Sequence, residues 1–434
     1  MNSESRNIVA VSIDSLRGDH CGFLGDDRGL TPTMDRMAAE GVAYENAIAP
    51  GPQTFSSMPV IMTGERRPPT TLEEFPQESH WGRRLAGIDD HMRRHATMAE
   101  RLQELGYETA AVTPNPWTSS LSGFDRGFDL FEDFSEHDST GLARSVAERL
   151  PGIDTDSRPV EVVLNMLSGS EFFSEWGSLT ERIEAAREQL SEPYFLWVFI
   201  LDAHFPFFPP RTHREEQSML GMYYSGYRSS DAMRGNGGTM SERVRQSVER
   251  SYRDAVRASD AFLDYVLAEF EADDPAVLVH SDHGESFGEH TNYGHHHRQV
   301  FEENIHVPYL VHNAGVSADV TAPTSLASMF DATLDIARTG TFDPDAVSEP
   351  AVIASSECGS NRAVRGDRFK YLEHSDETLL FDLERDPGEQ RTIAENWPRR
   401  CRELSRTLAQ FDRHTAETTR VHRATAALAS RGQF

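Results

Sequence analysis

The sequence predicts an α/β fold, a central and mostly parallel sheet flanked by helices, and three observations carry that expectation. Residues 7–13 (NIVAVSI), 193–201 (PYFLWVFIL) and 275–280 (PAVLVH) are short continuous apolar runs, the pattern of strands covered on both faces. Helical patterns alternate with them, most clearly over about 242–270, where Val256, Ala261, Phe262, Tyr265 and Val266 form an apolar face. Each run also leads into acid or imidazole residues: Asp14, then Asp202 with His204, then Asp282 with His283. Sheets of this class place their chemistry at the carboxyl ends of their strands.

The elements follow in order. The stretch 31–41 (TPTMDRMAAEG) opens with an N-cap candidate in Thr31, has Pro32 next and closes on Gly41, which reads as a helix. Residues 94–105 are helical in pattern and 108–113 form a strand. The segments 152–178 and 210–240 have little pattern, and the second, with GNGG at 235–238, reads as a loop or lid near the site. Near the C-terminus, 368–374 and 378–384 resemble a hairpin and 398–412 a helix, with a frayed tail from about 413. The expected division is a catalytic domain over 1–345 and a small α+β subdomain over 346–434.

Composition excludes several classes of function. The formal charge is −28, spread along the chain, which disfavours nucleic acid and anionic membrane as partners. Of 42 basic residues only Lys370 is a lysine. An acidic, lysine-poor chain suits a salt-rich cytoplasm, where screening removes self-repulsion, although GC-rich coding also exchanges Lys for Arg. Three scattered cysteines make no disulfide framework. The polar start MNSESRN lacks the pattern of a cleavable signal, and no uncharged apolar run is long enough to span a membrane. The expected location is the cytoplasm, and the expected partner is a small-molecule or glycan ester.

Candidate chemistry begins at SDHGESFGEH (281–290). Adjacent Asp282 and His283 can grip one divalent ion where Gly284 lets the chain turn. Taken singly, an Asp beside a His is as often a helix cap next to a surface histidine. Asp14 has the same ordinary reading. The segment 50–64 (PGPQTFSSMPVIMTG) changes the balance, because Thr54, Ser56 and Ser57 precede an apolar stretch as at a helix start. A hydroxyl there sees unsatisfied N–H groups, and a metal held by Asp14, Asp282 and His283 would activate it.

Several segments then combine in a recognisable order. VSIDSLRGDHCGFLG (11–25), the stretch 31–68, GYETAAVTPNPWTSSLSGFDRGFDLFED (106–133), DAHFPFFPP (202–210), SDHGESFGEH, FEENIHVPYL (301–310) and the C-terminal 363–396 resemble the sulfatase family of the alkaline phosphatase superfamily. The resemblance spans nearly the whole chain and implies that family's fold, with a small C-terminal α+β subdomain. By position it implies Asp14, Asp282, His283 and Thr54 as metal ligands, Thr54 also being the nucleophile. His204 matches a histidine that contacts the transferred group. Within His295–His297, His296 is favoured as a catalytic residue and His297 as substrate-binding, with His295 left open, and Asn115 falls in a substrate-binding segment. The implied cofactor is one or two divalent ions (Mn, Zn or Ca), with Asp202, His204 and a residue of the histidine run as candidates for a second site.

The departures are equally specific. Thr54 cannot give the formylglycine of true sulfatases, Met58 stands where they carry Arg, Ser15 replaces an Asp, and Pro114 and Asn115 replace a lysine segment. These changes resemble the threonine-type branches of the superfamily. The expectation is a sulfate or phosphate ester hydrolase working through a covalent Thr54 ester. The alternatives are a phosphodiesterase or head-group transferase of the same superfamily, and a non-catalytic member that binds anionic glycans.

Overall fold

β1 (Ile8–Ile13) lies in the middle of an eight-stranded sheet, and all six of its residues are buried. The computed structural model describes residues 5–70, 80–133, 176–295, 299–374 and 377–429. The other strands are β2 (Val42–Tyr44), β3 (Ala47–Ile48), β4 (Glu108–Thr113), β5 (Leu130–Asp133), β6 (Tyr194–Ile200), β7 (Ala276–Ser281), β8 (Tyr309–His312), β9 (Ala318–Val320) and β10 (Thr324–Ser325). β11 (Ala351–Ser355), β12 (Asn361–Gly366), β13 (Phe369–His374) and β14 (Glu377–Asp382) form a separate antiparallel sheet in sequence order. The large sheet has the order β5-β4-β6-β1-β7-β8-β2-β9, parallel from β5 to β7, with β8 antiparallel to both β7 and β2.

Helices cover both faces. They are α1 (Pro32–Glu40), α2 (Thr54–Thr63), α3 (His80–Arg94), α4 (Met98–Glu104), α5 (Thr180–Gln189), α6 (Met219–Met233), α7 (Glu242–Glu269), α8 (Glu302–Ile305), α9 (Met329–Thr339) and α10 (Pro398–Ala429). Alternate residues of each central strand feed two cores. Val9, Val11 and Ile13 pack with Leu196, Val198 and Ile200 on one side, while Ile8 and Ala10 pack with Phe195, Trp197 and Phe199 on the other. Burying each such side chain stabilises the fold by about 1.5–3 kcal/mol, so the apolar runs hold the strand ends in place. None of the described helices is long and apolar enough to cross a membrane.

Several expectations are corrected in detail. The pattern at 94–105 spans a break, because α3 ends at Arg94 and α4 begins at Met98. Thr97 forms a capping box there, its Oγ1 accepting from the Glu100 N–H at 3.1 Å while Glu100 Oε2 accepts from the Thr97 N–H at 2.9 Å. The stretch read as a loop at 210–240 contains α6, whose glycines and serines blur any periodicity and whose Leu220 and Tyr224 face outward. The hairpin is one half of a four-stranded sheet, with β14 at its edge, and the terminal helix runs on to Ala429 instead of fraying at 413. Of 152–178, only 176–178 lies within the described residues.

The small sheet is tied to the rest by apolar and ionic contacts. Val352, Ala354, Ala363, Leu372 and Phe381 pack on Ile48, Val300, Phe301 and Ile305. Within this contact the Lys370 ammonium is fully buried, 2.9 Å from Glu302 Oε1 and 3.0 Å from Glu389 Oε1.

Candidate active site

The site starts from strand register. β1 pairs with β7 so that Ser12 faces His280 and Ile13 faces Ser281, and the next residue on each strand is therefore Asp14 beside Asp282. The Asp14 N–H donates to Ile200 O at 3.0 Å, which ties the same point to β6. Three adjacent strands thus deliver Asp14, Asp282 with His283, and the segment carrying His204. Beneath them Ser12 Oγ contacts His280 Nε2 at 2.7 Å and accepts from Trp197 Nε1 at 2.9 Å. Burial pushes the His280 imidazole down to about 4, so the strand layer under the site is neutral.

Asp14, Asp282 and His283 are fully buried, and one ligand atom from each lies within 4.8 Å of the others. His283 Nδ1 donates to Gly284 O at 2.8 Å, which aims Nε2 at the carboxylates. Nε2 stands 3.5 Å from Asp14 Oδ1, 3.7 Å from Asp282 Oδ2 and 3.3 Å from Thr54 Oγ1. Thr54 opens α2 after Gln53, so Ser56 and Ser57 lie inside the helix and not before it. Gly284 is required for a different reason from a turn with positive φ: a Cβ there would lie 2.0 Å from Glu303 O.

The donor set fits a divalent cation. Asp282 Oδ1 accepts from the N–H groups of Ser15 (3.2 Å) and His283 (2.9 Å), yet its buried Oδ2 has no hydrogen-bond partner. Burial, and then the charge on Asp14, push the Asp282 carboxyl well above the usual carboxylate range. Two buried carboxylates side by side repel one another unless positive charge lies between them. Two carboxylates, one nitrogen and a hydroxyl supply that ion with ligands.

Around this trio the remaining candidates divide. Asn115 follows β4, and its Nδ2 donates to Asp14 Oδ2 at 2.9 Å while its Oδ1 accepts from the Trp117 N–H at 2.9 Å. It therefore orients the Asp14 carboxylate. The His204 ring lies 5.2 Å from that of His295, which is 4.6 Å from that of His283. His296 and His297 lie outside the described residues. Asp202 is outside the trio, and its Oδ2 accepts from the Trp176 N–H at 3.1 Å. Phe205 and Phe207 are core residues.

Sequence reasoning missed Glu285. It is fully buried, its oxygens lie 3.2 and 3.3 Å from His295 Nδ1, and burial raises its carboxyl to about 7. The same burial, followed by the charge of His283, holds the His295 imidazole well below its ordinary value. The only sequence signal was an acid two places after His283 in a motif otherwise made of small residues and ligands.

A family model described as Sulfatase matches residues 6–339, most of the chain. An arylsulfatase of Clostridium perfringens is 33% identical over 108 residues, which are 24% of this chain and 20% of that protein. The matches to arylsulfatase K of Danio rerio and Rattus norvegicus likewise span only 33% and 40% of those proteins. Longer matches are weaker: an ulvan-active sulfatase of Formosa agariphila is 22% identical over 89% of this chain and 76% of its own length. Among solved structures, a phosphonate monoester hydrolase of Agrobacterium radiobacter superposes with a TM-score of 0.67 at 18% identity, covering 94% of this chain and 96% of that one. A structure in complex with its substrate D-glucosamine-2-N,6-O-disulfate gives 0.65 at 17% identity, covering 95% and 99%. At these identities the superpositions establish the fold, a large mostly parallel sheet with a small antiparallel C-terminal sheet. Through the extent of the family match, the chain belongs to the sulfatase family.

Proposed function

We propose that the chain hydrolyses a sulfate or phosphate ester through a covalent ester of Thr54. One observation carries the reading: Asp14, Asp282, His283 and the Thr54 hydroxyl, from three distant stretches of sequence, converge in one buried cluster. A divalent ion bound by these four side chains would make the Thr54 hydroxyl acidic and offset charge on the transferred group. The nitrogen ligand favours Mn or Zn over Ca. Among the described residues this is the one group of His, Cys, Asp and Glu side chains that could hold a metal ion.

The chain's own residues supply the rest. Thr54 Oγ forms its bond to sulfur or phosphorus as the bond to the substrate's bridging oxygen breaks in line. That oxygen departs as an alcohol with a proton from His204, whose ring lies 5.2 Å from that of His295. Water then attacks the Thr54 ester, passes one proton back to the histidine, and sulfate or phosphate leaves. The start of α2 brings the positive end of a helix dipole to the oxygens being transferred.

Thr54→Ala tests the assignment. Turnover of an aryl ester is expected to fall at least about 1,000-fold, while metal content by mass spectrometry stays at the wild-type level. Unchanged turnover removes Thr54 from the role of nucleophile. A second reading, cleavage of a phosphodiester or phosphonate in preference to a sulfate ester, is favoured by Thr54 itself, which cannot be oxidised to an aldehyde. A panel of aryl sulfate, phosphate monoester, phosphodiester and phosphonate separates the two. A purified protein with no stoichiometric divalent ion would instead support the non-catalytic, glycan-binding alternative.

A further inference from the structure

We propose that Tyr252 is a positioning residue for the metal centre, its hydroxyl holding the Ser15 turn that joins the two carboxylate ligands. This inference rests on the metal reading given above. Ser15 makes a hydrogen bond to a ligand from each of two strands. Its Oγ donates to Asp14 Oδ1 at 2.8 Å, and its N–H donates to Asp282 Oδ1 at 3.2 Å. It does so with φ at +62°, a left-handed conformation that a serine adopts only under constraint.

The constraint comes from both sides of the turn. On one side the Tyr252 hydroxyl, from α7, donates to Ser15 O at 2.9 Å and accepts from the Arg17 N–H at 2.9 Å. On the other, Ser281 Oγ of β7 accepts from the Leu16 N–H at 2.8 Å and donates to His283 O at 2.8 Å. Residues 15–17 are thus pinned between a helix and the strand that carries the other two ligands. Tyr252 is fully buried, with its ring 5.1 Å from Phe207, 4.8 Å from Phe287 and 5.0 Å from His20. Such packing fixes the hydroxyl to within the few tenths of an ångström that a coordination site requires. Without the hydroxyl, Ser15 O and the Arg17 N–H lose a buried partner each, and the turn relaxes away from a geometry it adopts only when held.

The test is calorimetric titration of Mn²⁺ or Zn²⁺ into the chelator-stripped full chain, well below the Tm of every variant. Tyr252→Phe and Ser15→Ala are each expected to raise the metal Kd about tenfold or more, with turnover recovering towards wild type at saturating metal. Phe207→Leu loosens the packing round the same ring but keeps the hydroxyl, and is expected to lower Tm without moving Kd. Wild-type Kd in both hydroxyl variants overturns the inference and leaves the metal reading standing, as does an equal rise in Kd for Phe207→Leu. A wild-type chain that binds no ion overturns both. Should Tyr252→Phe fail to fold, Ser15→Ala decides alone, with an unchanged Kd counting against the inference.

Discussion

Thr54 is β-branched and nearly inaccessible, so its hydroxyl has few orientations open to it at the start of α2. Thr54→Ser keeps the oxygen and frees the torsion. Its kcat is expected to fall about tenfold, worth about 1.4 kcal/mol, far less than in the alanine variant, and a loss as large as that variant's would mean the methyl group is needed for more than orientation. Asp282→Asn removes a charge from the ligand set and is expected to weaken metal binding by about 100-fold, as read by titration with a competing chelator. Asp14, Asp282 and His283 were legible in the sequence because each sits at a strand end that a short apolar run announces, while Thr54 stood out from Ser56 and Ser57 only through the family resemblance. Glu285 and Tyr252 were not. Glu285 reads locally as one more acid in an acidic chain, and Tyr252 as one more apolar position on a long helix. Their importance comes from residues 10 and 237 positions away that the folded chain brings near.

At the scale of elements, the link between the two sheets depends on one ammonium shared by two carboxylates. Lys370 and Arg365 hold the Glu302 carboxyl down, to about 2 despite its burial. Burial and the charge of Glu302 push Glu389 the other way. Lys370→Met keeps the length of the side chain and leaves both acids without their shared cation. It is expected to lower stability by about 3–5 kcal/mol, measured by denaturant unfolding. Because the folded-state value of Glu302 is depressed, its stabilisation is present above the ordinary carboxylate value of 4.5 and is lost as pH falls from there towards about 2. Melting curves of wild type and Glu302→Gln should therefore be furthest apart near neutrality and converge below pH 4; a gap that persists in acid would place the charge elsewhere. Strands β1, β6 and β7 were readable because short apolar runs buried on both faces suit a parallel sheet, whereas β5, only partly buried, carried no such run. α6 and the α3–α4 break were not, since a serine- and glycine-rich helix has no clear periodicity and a capping box inside a helical stretch is a local signal easily read as continuity.

Across the whole molecule the formal charge of −28 sets the response to salt. The screening length shrinks from about 10 Å at 0.1 M to about 3 Å at 1 M, so self-repulsion among exposed acids fades over that range. Tm is expected to rise between 0.1 and 1 M KCl, as followed by scanning calorimetry; a flat or falling Tm would assign the missing lysines to coding bias instead of adaptation to salt. The same arginine-for-lysine exchange has a practical outcome. The sole lysine is sealed between the two sheets, so acylating labels, bis-ester cross-linkers and enzymes that modify ε-amines find no lysine to attack while the native packing lasts. Reaction at Lys370 would then serve as a clock for the parting of the small sheet from the large one.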